Sequence, residues 1–294
     1  MEIIQNTAII FIAIFLETLP FLIFGSIISS VVERYVSDET LIKLIPKNVV
    51  LGSIAGILLG FFLPACDCAV IPVSKRLIKK KVPINVSVSF MLASPIINPV
   101  VLLSTYTAFY LIDPSIFYLR VVLGIVIALI IGVIMGLLFK ENVIKEEEQH
   151  HCCHHHEKTK KCLKNDLIFI LKHGCSDLFG VLKFLMIGAL IASLVQTVVP
   201  KDILLIFSDN KILSIITLML FGYTISLCST SDSFVGKSLL NNFSKASVVA
   251  YLLVGPMIDV KNTFVLFGNY SKKFVITLIS LIFIMTFLTA MVVI

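Results

Sequence analysis

The sequence predicts an all-α polytopic membrane protein of two homologous halves, about four helices each, with broken helices where the halves meet. Three observations carry this. The 294 residues are 58% hydrophobic and 14% charged, with a mean hydropathy of +1.03. A soluble domain is about half apolar and about a quarter charged, so this excess does not fit in one core under a polar shell. The apolar residues fall in blocks close to the ~20 residues that cross a hydrocarbon layer of ~30 Å. Landmarks also recur at a nearly constant offset: Gly25 with Gly188, Gly60 with Gly222, Cys66 with Cys228, and Pro95 with Pro256. Such self-similarity marks transporters built from repeats.

The composition excludes a secreted disulfide scaffold, a nucleic-acid binder and an ordinary soluble enzyme. The net charge of +6 sits mostly between apolar blocks, where a membrane protein carries its orientation signals. The partner it implies is the lipid bilayer, with no nucleic acid. Seven cysteines, several inside apolar runs or a His-rich tract, favour thiols for metals or redox chemistry over a paired extracellular framework.

Cut at charged and Pro-containing stretches, the chain gives eight apolar blocks, roughly 7–32, 48–74, 84–112, 115–139, 178–199, 212–236, 246–269 and 274–294. The first is too long for a signal-peptide core and lacks a basic start and a cleavage site, so it reads as a retained membrane helix. The stretches 37–46 and 200–209 mix charges with Leu and Ile at helical spacing and read as interfacial helices. Domain boundaries follow: a first membrane repeat at 1–139, a His/Cys-rich linker at 140–165 and a second repeat at 166–294. Eight crossings put segments 75–83, 140–164 and 237–247 on one side with 13 Lys and Arg against 8 opposite. The positive-inside rule then predicts cytoplasmic termini and a cytoplasmic linker. A re-entrant segment in each half would instead make the repeats inverted; the pattern leaves both open. Gly52, Gly56 and Gly60, and Gly132 and Gly136, recur every four residues as packing surfaces.

Two paired constellations carry candidate chemistry. Leu63-Pro64-Ala65-Cys66-Asp67-Cys68 sets two thiols and a carboxylate beside a helix-breaking proline, and irregular backbone at membrane depth survives only when buried in protein or lining a cavity. Its counterpart is Cys228-Ser229-Thr230-Ser231-Asp232. Convergence of Cys66, Cys68 and Cys228 would suit a thiophilic metal or metalloid; three small buried hydrophobes are the other reading. Pro95, Asn98 and Pro99 in the first half match Pro256, Asp259 and Asn262 in the second. Each set breaks a membrane helix near its middle and leaves half-helix ends and polar side chains there. Glu17 and Lys183, at nearly equivalent positions, are candidates for a buried pair or a proton-coupling route. In the linker, His150, His151, Cys152, Cys153, His154, His155, His156 and Cys162 are zinc or copper ligands by type, without the spacing of a folded zinc module. No cofactor is required. There is no phosphate-binding Gly-rich loop, HExxH or GxSxG motif, so the chain is not read as an enzyme or an ATP-driven pump.

On LPACDCAVIPVSKRL and KVPINVSVSFMLASPIINPVVLLSTYTAF in the first half, and LCSTSDSF and YLLVGPMIDVKNTFVLFG in the second, the chain resembles the ArsP/YraQ-like family of predicted bacterial permeases. The motifs span nearly the whole membrane portion; the linker lies outside them. The resemblance implies a multi-pass permease of the bacterial inner membrane, some relatives exporting trivalent organoarsenicals. It implicates Cys66, Asp67, Cys68, Pro95, Asn98 and Pro99, with Cys228, Asp232, Pro256, Asp259 and Asn262. Ala69 stands where many relatives carry Gly. The resulting expectation is a secondary transporter exporting a thiophilic metal, metalloid or organoarsenical, possible proton carriers being Asp67, Asp232, Asp259 or Glu17. Three alternatives stay open: a permease for an anion or small polar solute with structural cysteines, a membrane thiol redox enzyme, and a metal-responsive scaffold driven by the linker.

Overall fold

A chain this apolar satisfies its backbone inside lipid by helix, and helix is what forms. The computed structural model describes residues 2–35, 46, 48–63, 67–139, 143–144, 163–198 and 210–293. The stretches 37–45 and 200–209, expected as interfacial helices, and residues 145–162 of the linker lie outside the described residues. Among the described residues there are twelve helices and no strand. The first six are α1 (Glu2–Tyr35), α2 (Val49–Phe62), α3 (Asp67–Lys79), α4 (Ile84–Ile97), α5 (Pro99–Phe109) and α6 (Ser115–Leu138). The next six are α7 (Leu163–Val198), α8 (Lys211–Ile225), α9 (Ser229–Leu239), α10 (Lys245–Met257), α11 (Val260–Asn269) and α12 (Lys272–Val293). Long and short helices follow in the same order in both sets.

The caps explain where the short helices start. Asn48 accepts from the Val50 N–H (3.2 Å) to begin α2, and Asn210 accepts from the Ile212 N–H (3.2 Å) to begin α8. Asn98 caps α5 through the Val100 N–H (3.0 Å), and Asp259 caps α11 through the Asn262 N–H (2.6 Å). An Asn or Asp oxygen satisfies one of the four orphan donors of a helix start. The breaks in the spans thus fall at 98 and at 258–259, two to three residues past Pro95 and Pro256, which stay inside α4 and α10.

Eight simple crossings do not form. The apolar blocks 48–74 and 212–236 are each two helices, α2 with α3 and α8 with α9. Contacts fix their directions. At the start of α4, Asn85 Nδ2 donates to the Val49 carbonyl (2.8 Å) at the start of α2. Near the end of α2, a Cβ on Gly60 would lie 3.1 Å from Ser94 Cα, so α2 and α4 run parallel. After the turn at 80–83, Ser74 Oγ donates to the Ser87 carbonyl (3.3 Å), so α3 runs back alongside α4. The hairpin α2–α3 therefore enters and leaves at one end of the molecule. The hairpin α8–α9 does the same: Ser214 meets Ser247 (2.8 Å) at the start, a Cβ on Gly222 would lie 3.0 Å from Tyr251, and Gly236 on α9 faces Leu252.

The two hairpins enter from opposite ends. Lys245, at the start of α10, pairs with Asp113 (2.6 Å) and donates to Ser115 (2.6 Å), just past the end of α5. Asn269, at the end of α11, accepts from Lys75 Nζ (2.9 Å), near the end of α3, and Tyr270 donates to Ser74 (3.2 Å). Hence α4–α5 runs from the Lys75 end to the Lys245 end, and α10–α11 runs back. Residues 237–247, expected on the side of 75–83, lie at the opposite end. Ser271 N–H donates to the Val143 carbonyl (2.8 Å), which ties the described start of the linker to the Lys75 end. From there α12 runs antiparallel to α8: the ring centroid of Phe283 lies 5.6 Å from that of Tyr223 near the end of α8, and Phe287 and Leu288 line one cavity with Ile216 near its start. The linker and the end of α12 thus lie at opposite ends, against the expectation that they share a side. The reason is the re-entrant hairpins, which use up apolar length without crossing.

Among the described residues, five stretches are long and apolar enough to cross a bilayer: Ile4–Ile27, Ser115–Leu138, Leu178–Thr197, Lys245–Asn269 and Lys272–Val293. The pair α4–α5, bent by 41° at Asn98, makes a sixth if it is one span. The glycine rows pack as expected: a Cβ on Gly56 would lie 2.3 Å from the Val86 carbonyl oxygen, and one on Gly136 2.6 Å from Asn85 Cβ.

Candidate functional site

The tips of the two hairpins meet deep inside the protein. Asp67 opens α3 and Ser229 opens α9, and the Ser229 hydroxyl donates to the Asp67 carboxylate. Each of these residues adjoins a thiol in sequence: Cys68, buried, follows Asp67, and Cys228, half-buried, precedes Ser229 at the N-terminal boundary of α9. The starts of α3 and α9, with their orphan N–H groups and positive dipole ends, thereby point into one region.

Two buried cations hold this centre. Arg120 on α6 is 1% exposed. It donates from Nη1 to Thr105 Oγ1 and Ser233 Oγ (both 2.7 Å) and from Nη2 to the Ser229 carbonyl (3.2 Å), joining α5, α6 and α9. Lys261 on α11, also 1% exposed, pairs with Asp259 Oδ2 (2.6 Å) and donates to the Ser226 carbonyl (2.9 Å). Ser226 sits in the left-handed region, φ 49°, at the tip of the second hairpin. A non-glycine residue persists there only where its surroundings over-determine it, and the Lys261 ammonium on its carbonyl supplies that constraint. Tyr251 donates to Asp232 Oδ1 (2.9 Å).

Asp67, Asp232 and Asp259 are buried beside two cations. Fully ionised, the centre carries one excess negative charge. An uncompensated buried charge costs several kcal/mol, so the centre favours uptake of a cation or proton. Four buried polar atoms here make no hydrogen bond: Asp232 Oδ2, Asn262 Oδ1, Ser226 Oγ and Arg120 Nε. Unspent donors and acceptors in a buried polar cluster are what a passing solute engages.

The expected site residues are thus distributed unevenly. Asp67, Cys68, Cys228, Asp232 and Asp259 fall in or beside the centre. Asn98 and Asp259 are occupied in capping, Pro95 and Pro256 lie within helices, Pro99 is exposed at the start of α5, and Asn262, in the first turn of α11, keeps its buried Oδ1 unpaired. Cys66 lies outside the described residues, as do His150, His151, Cys152, Cys153, His154, His155, His156 and Cys162. Among the described residues, no group of three or more His, Cys, Asp or Glu could hold a metal ion. Glu17 and Lys183 make no ion pair with each other among the described residues; Lys183 is exposed, its Nζ 5.0 Å from the Phe184 ring centroid. Sequence reasoning missed Arg120, Thr105 and Tyr251 as site members, and it carried Ser229 and Ser233 only as part of the second-half motif. The signal for Arg120 was a lone guanidinium five residues into an apolar helix.

Broken spans, re-entrant hairpins and a buried polar centre between them define a polytopic membrane protein of permease type. The chain belongs to the ArsP_1 family, described as a predicted permease, whose profile matches residues 3–294. It is 39% identical over 273 residues to the UPF0718 protein YcgR of Bacillus subtilis, covering 93% of this chain and 92% of the relative. It is 34% identical over 267 residues to a putative two-component membrane permease complex subunit of Streptococcus mutans, covering 91% and 88%. No solved structure matches.

Proposed function

We propose that the protein is a secondary transporter of the bacterial cytoplasmic membrane, built of two homologous halves, 1–139 and 166–294, in inverted orientation about the linker. It exports a thiophilic metal or metalloid held between the hairpin tips by Cys66, Cys68 and Cys228, with Asp67, Asp232 and Asp259 carrying the exchanged proton. The observation that supports this reading is the Ser229–Asp67 contact, which draws the neighbourhoods of the thiols of both halves to one point. Soft thiolates favour soft cations over magnesium or calcium. The excess negative charge of the centre suits a cation and a proton as alternating occupants.

The test is uptake into everted vesicles of methylarsenite, arsenite, antimonite, copper(I) and zinc, with and without a proton gradient. Wild type is expected to accumulate one of them in a gradient-dependent way, and Cys66→Ser/Cys68→Ser/Cys228→Ser to lose that accumulation. Accumulation indifferent to the triple substitution would move the assignment to a small polar solute or anion, the reading that buried Arg120 and Lys261 favour. The linker, with its His and Cys residues, is proposed to bind zinc or copper and to tune this flux; its removal lowers sensitivity to metal and leaves transport in place.

A further inference from the structure

Equivalent helices of the two halves are unequally covered. Ten of the 13 residues of α3 and seven of the 10 of α11 are buried, against four of the 11 in each of α5 and α9. Yet α3 corresponds to α9, and α5 to α11. On α5, Val100 and Leu103 are 61% and 64% exposed, and on α9 Phe234 is 55% exposed.

The cause of the difference is the pair α1 and α7. These long helices pack antiparallel, Thr7 bonding Thr197 (3.2 Å). Together they lie over α3 and α11, α1 against α3 and α7 against α11. The approach is close on both sides. A Cβ on Gly25 would sit 2.4 Å from Ala69 Cβ, and one on Gly188 2.8 Å from Lys261 Cα. Gly25 and Gly188 are themselves equivalent positions. The same offsets pair Ala69 with Ser231 and Lys261 with Val100. Neither Ser231 nor Val100 has α7 or α1 packed on it to a comparable extent.

We infer that α1 and α7 form an arm with two seats, α3/α11, occupied here, and α5/α9, occupied in the alternate state by the mirrored contacts Gly188 on Ser231 and Gly25 on Val100. The inference rests on the two-halves part of the transporter reading. Its mechanical sense follows from direction. From the centre, α3 and α11 lead to the Lys75 end, and α5 and α9 lead to the Lys245 end. An arm on the first seat covers the route to the Lys75 end and leaves the other route less covered; on the second seat it does the reverse. That is alternating access around a fixed site, and small residues at equivalent places let one arm fit both seats.

The test replaces Val100, and separately Ser231, with p-benzoyl-phenylalanine in the full chain, irradiates native membranes and maps the cross-linked peptides. Leu138, exposed on α6, serves as the reference position. The expected products join Val100 to the part of α1 around Gly25, and Ser231 to the part of α7 around Gly188. Ala69→Leu, which overfills the first seat alone, should raise both yields severalfold by shifting the population. Yields no higher than at Leu138, or products only with a second polypeptide, would overturn the inference. Should Ala69→Leu fail to fold, the wild-type yields still decide. Mapped products without flux of any solute in the vesicle assay would retain the two seats and sink the metal reading; flux without the products would do the opposite.

Discussion

At the scale of single residues, the centre is held by charges that cannot be removed singly. Lys261→Met leaves Asp259 buried without its cation and the Ser226 carbonyl without its donor, at a cost of about 3–5 kcal/mol. Adding Asp259→Asn removes the stranded charge while keeping an oxygen to cap α11, so thermal unfolding in detergent should show the double variant more stable than Lys261→Met alone. A double variant no better than the single one would mean that the ammonium acts mainly on the Ser226 tip. A packing position behaves differently: Gly136→Ala drives a methyl to 2.6 Å from Asn85 Cβ, an overpacking worth about 1–3 kcal/mol, read as a lowered Tm with no change in solute preference. The acids of this centre were legible because a carboxylate in an apolar block is costly at membrane depth, although Asp259 also serves as a helix cap. Arg120 was not, since a charge near the start of a block is indistinguishable by sequence from one at the membrane surface; only the hydroxyls of Thr105 and Ser233, one on each half, reveal where it points.

At the scale of elements, the apolar blocks were legible, but whether 48–74 and 212–236 cross or turn back was left open. The 27 residues of 48–74 have the length and hydropathy of a crossing, and hydropathy is blind to direction. What keeps the hairpin buried is the row of glycines that lets α2 approach α4. The breaks of the two long spans were legible from Pro95 and Pro256, though displaced to Asn98 and Asp259, because the capping side chain decides where the next helix starts. The connection between α5 and α6 makes a further test possible. Lys245, and then Ser115, hold the Asp113 carboxyl below the usual carboxylate range. A lowered folded value means that the stabilisation is present above the unfolded value of about 4 and fades as pH falls through the folded one. Both side chains are partly exposed, 31% and 41%, so the pair contributes at most a few tenths of a kcal/mol and less in high salt. Lys245→Met should flatten this acid limb of the stability profile slightly; an unchanged profile would show the pair to be energetically idle.

At the scale of the whole molecule, sidedness follows from direction and charge together. The Lys75 end carries Lys75, Arg76, Lys79, Lys80, Lys81, Lys272 and Lys273, whereas the described residues at the Lys245 end include Lys211, Lys237 and Lys245. The positive-inside rule predicts a cytoplasmic first end, and with it a cytoplasmic start of the linker at Val143 and Ile144. Because α12 leaves that end and reaches the other, the C-terminus is predicted outside the cytoplasm; because α1 runs antiparallel to α7, which starts after the linker, the N-terminus is predicted there too. Reporter fusions decide this without knowledge of any substrate. Alkaline phosphatase joined after Ile294 should be active and a green fluorescent protein there dark, while the same reporters inserted at residue 150 should behave in the opposite way. Cytoplasmic behaviour at both places would require α12 not to cross, and the opposed hairpins, the inverted halves and the two-seat arm would fall with it.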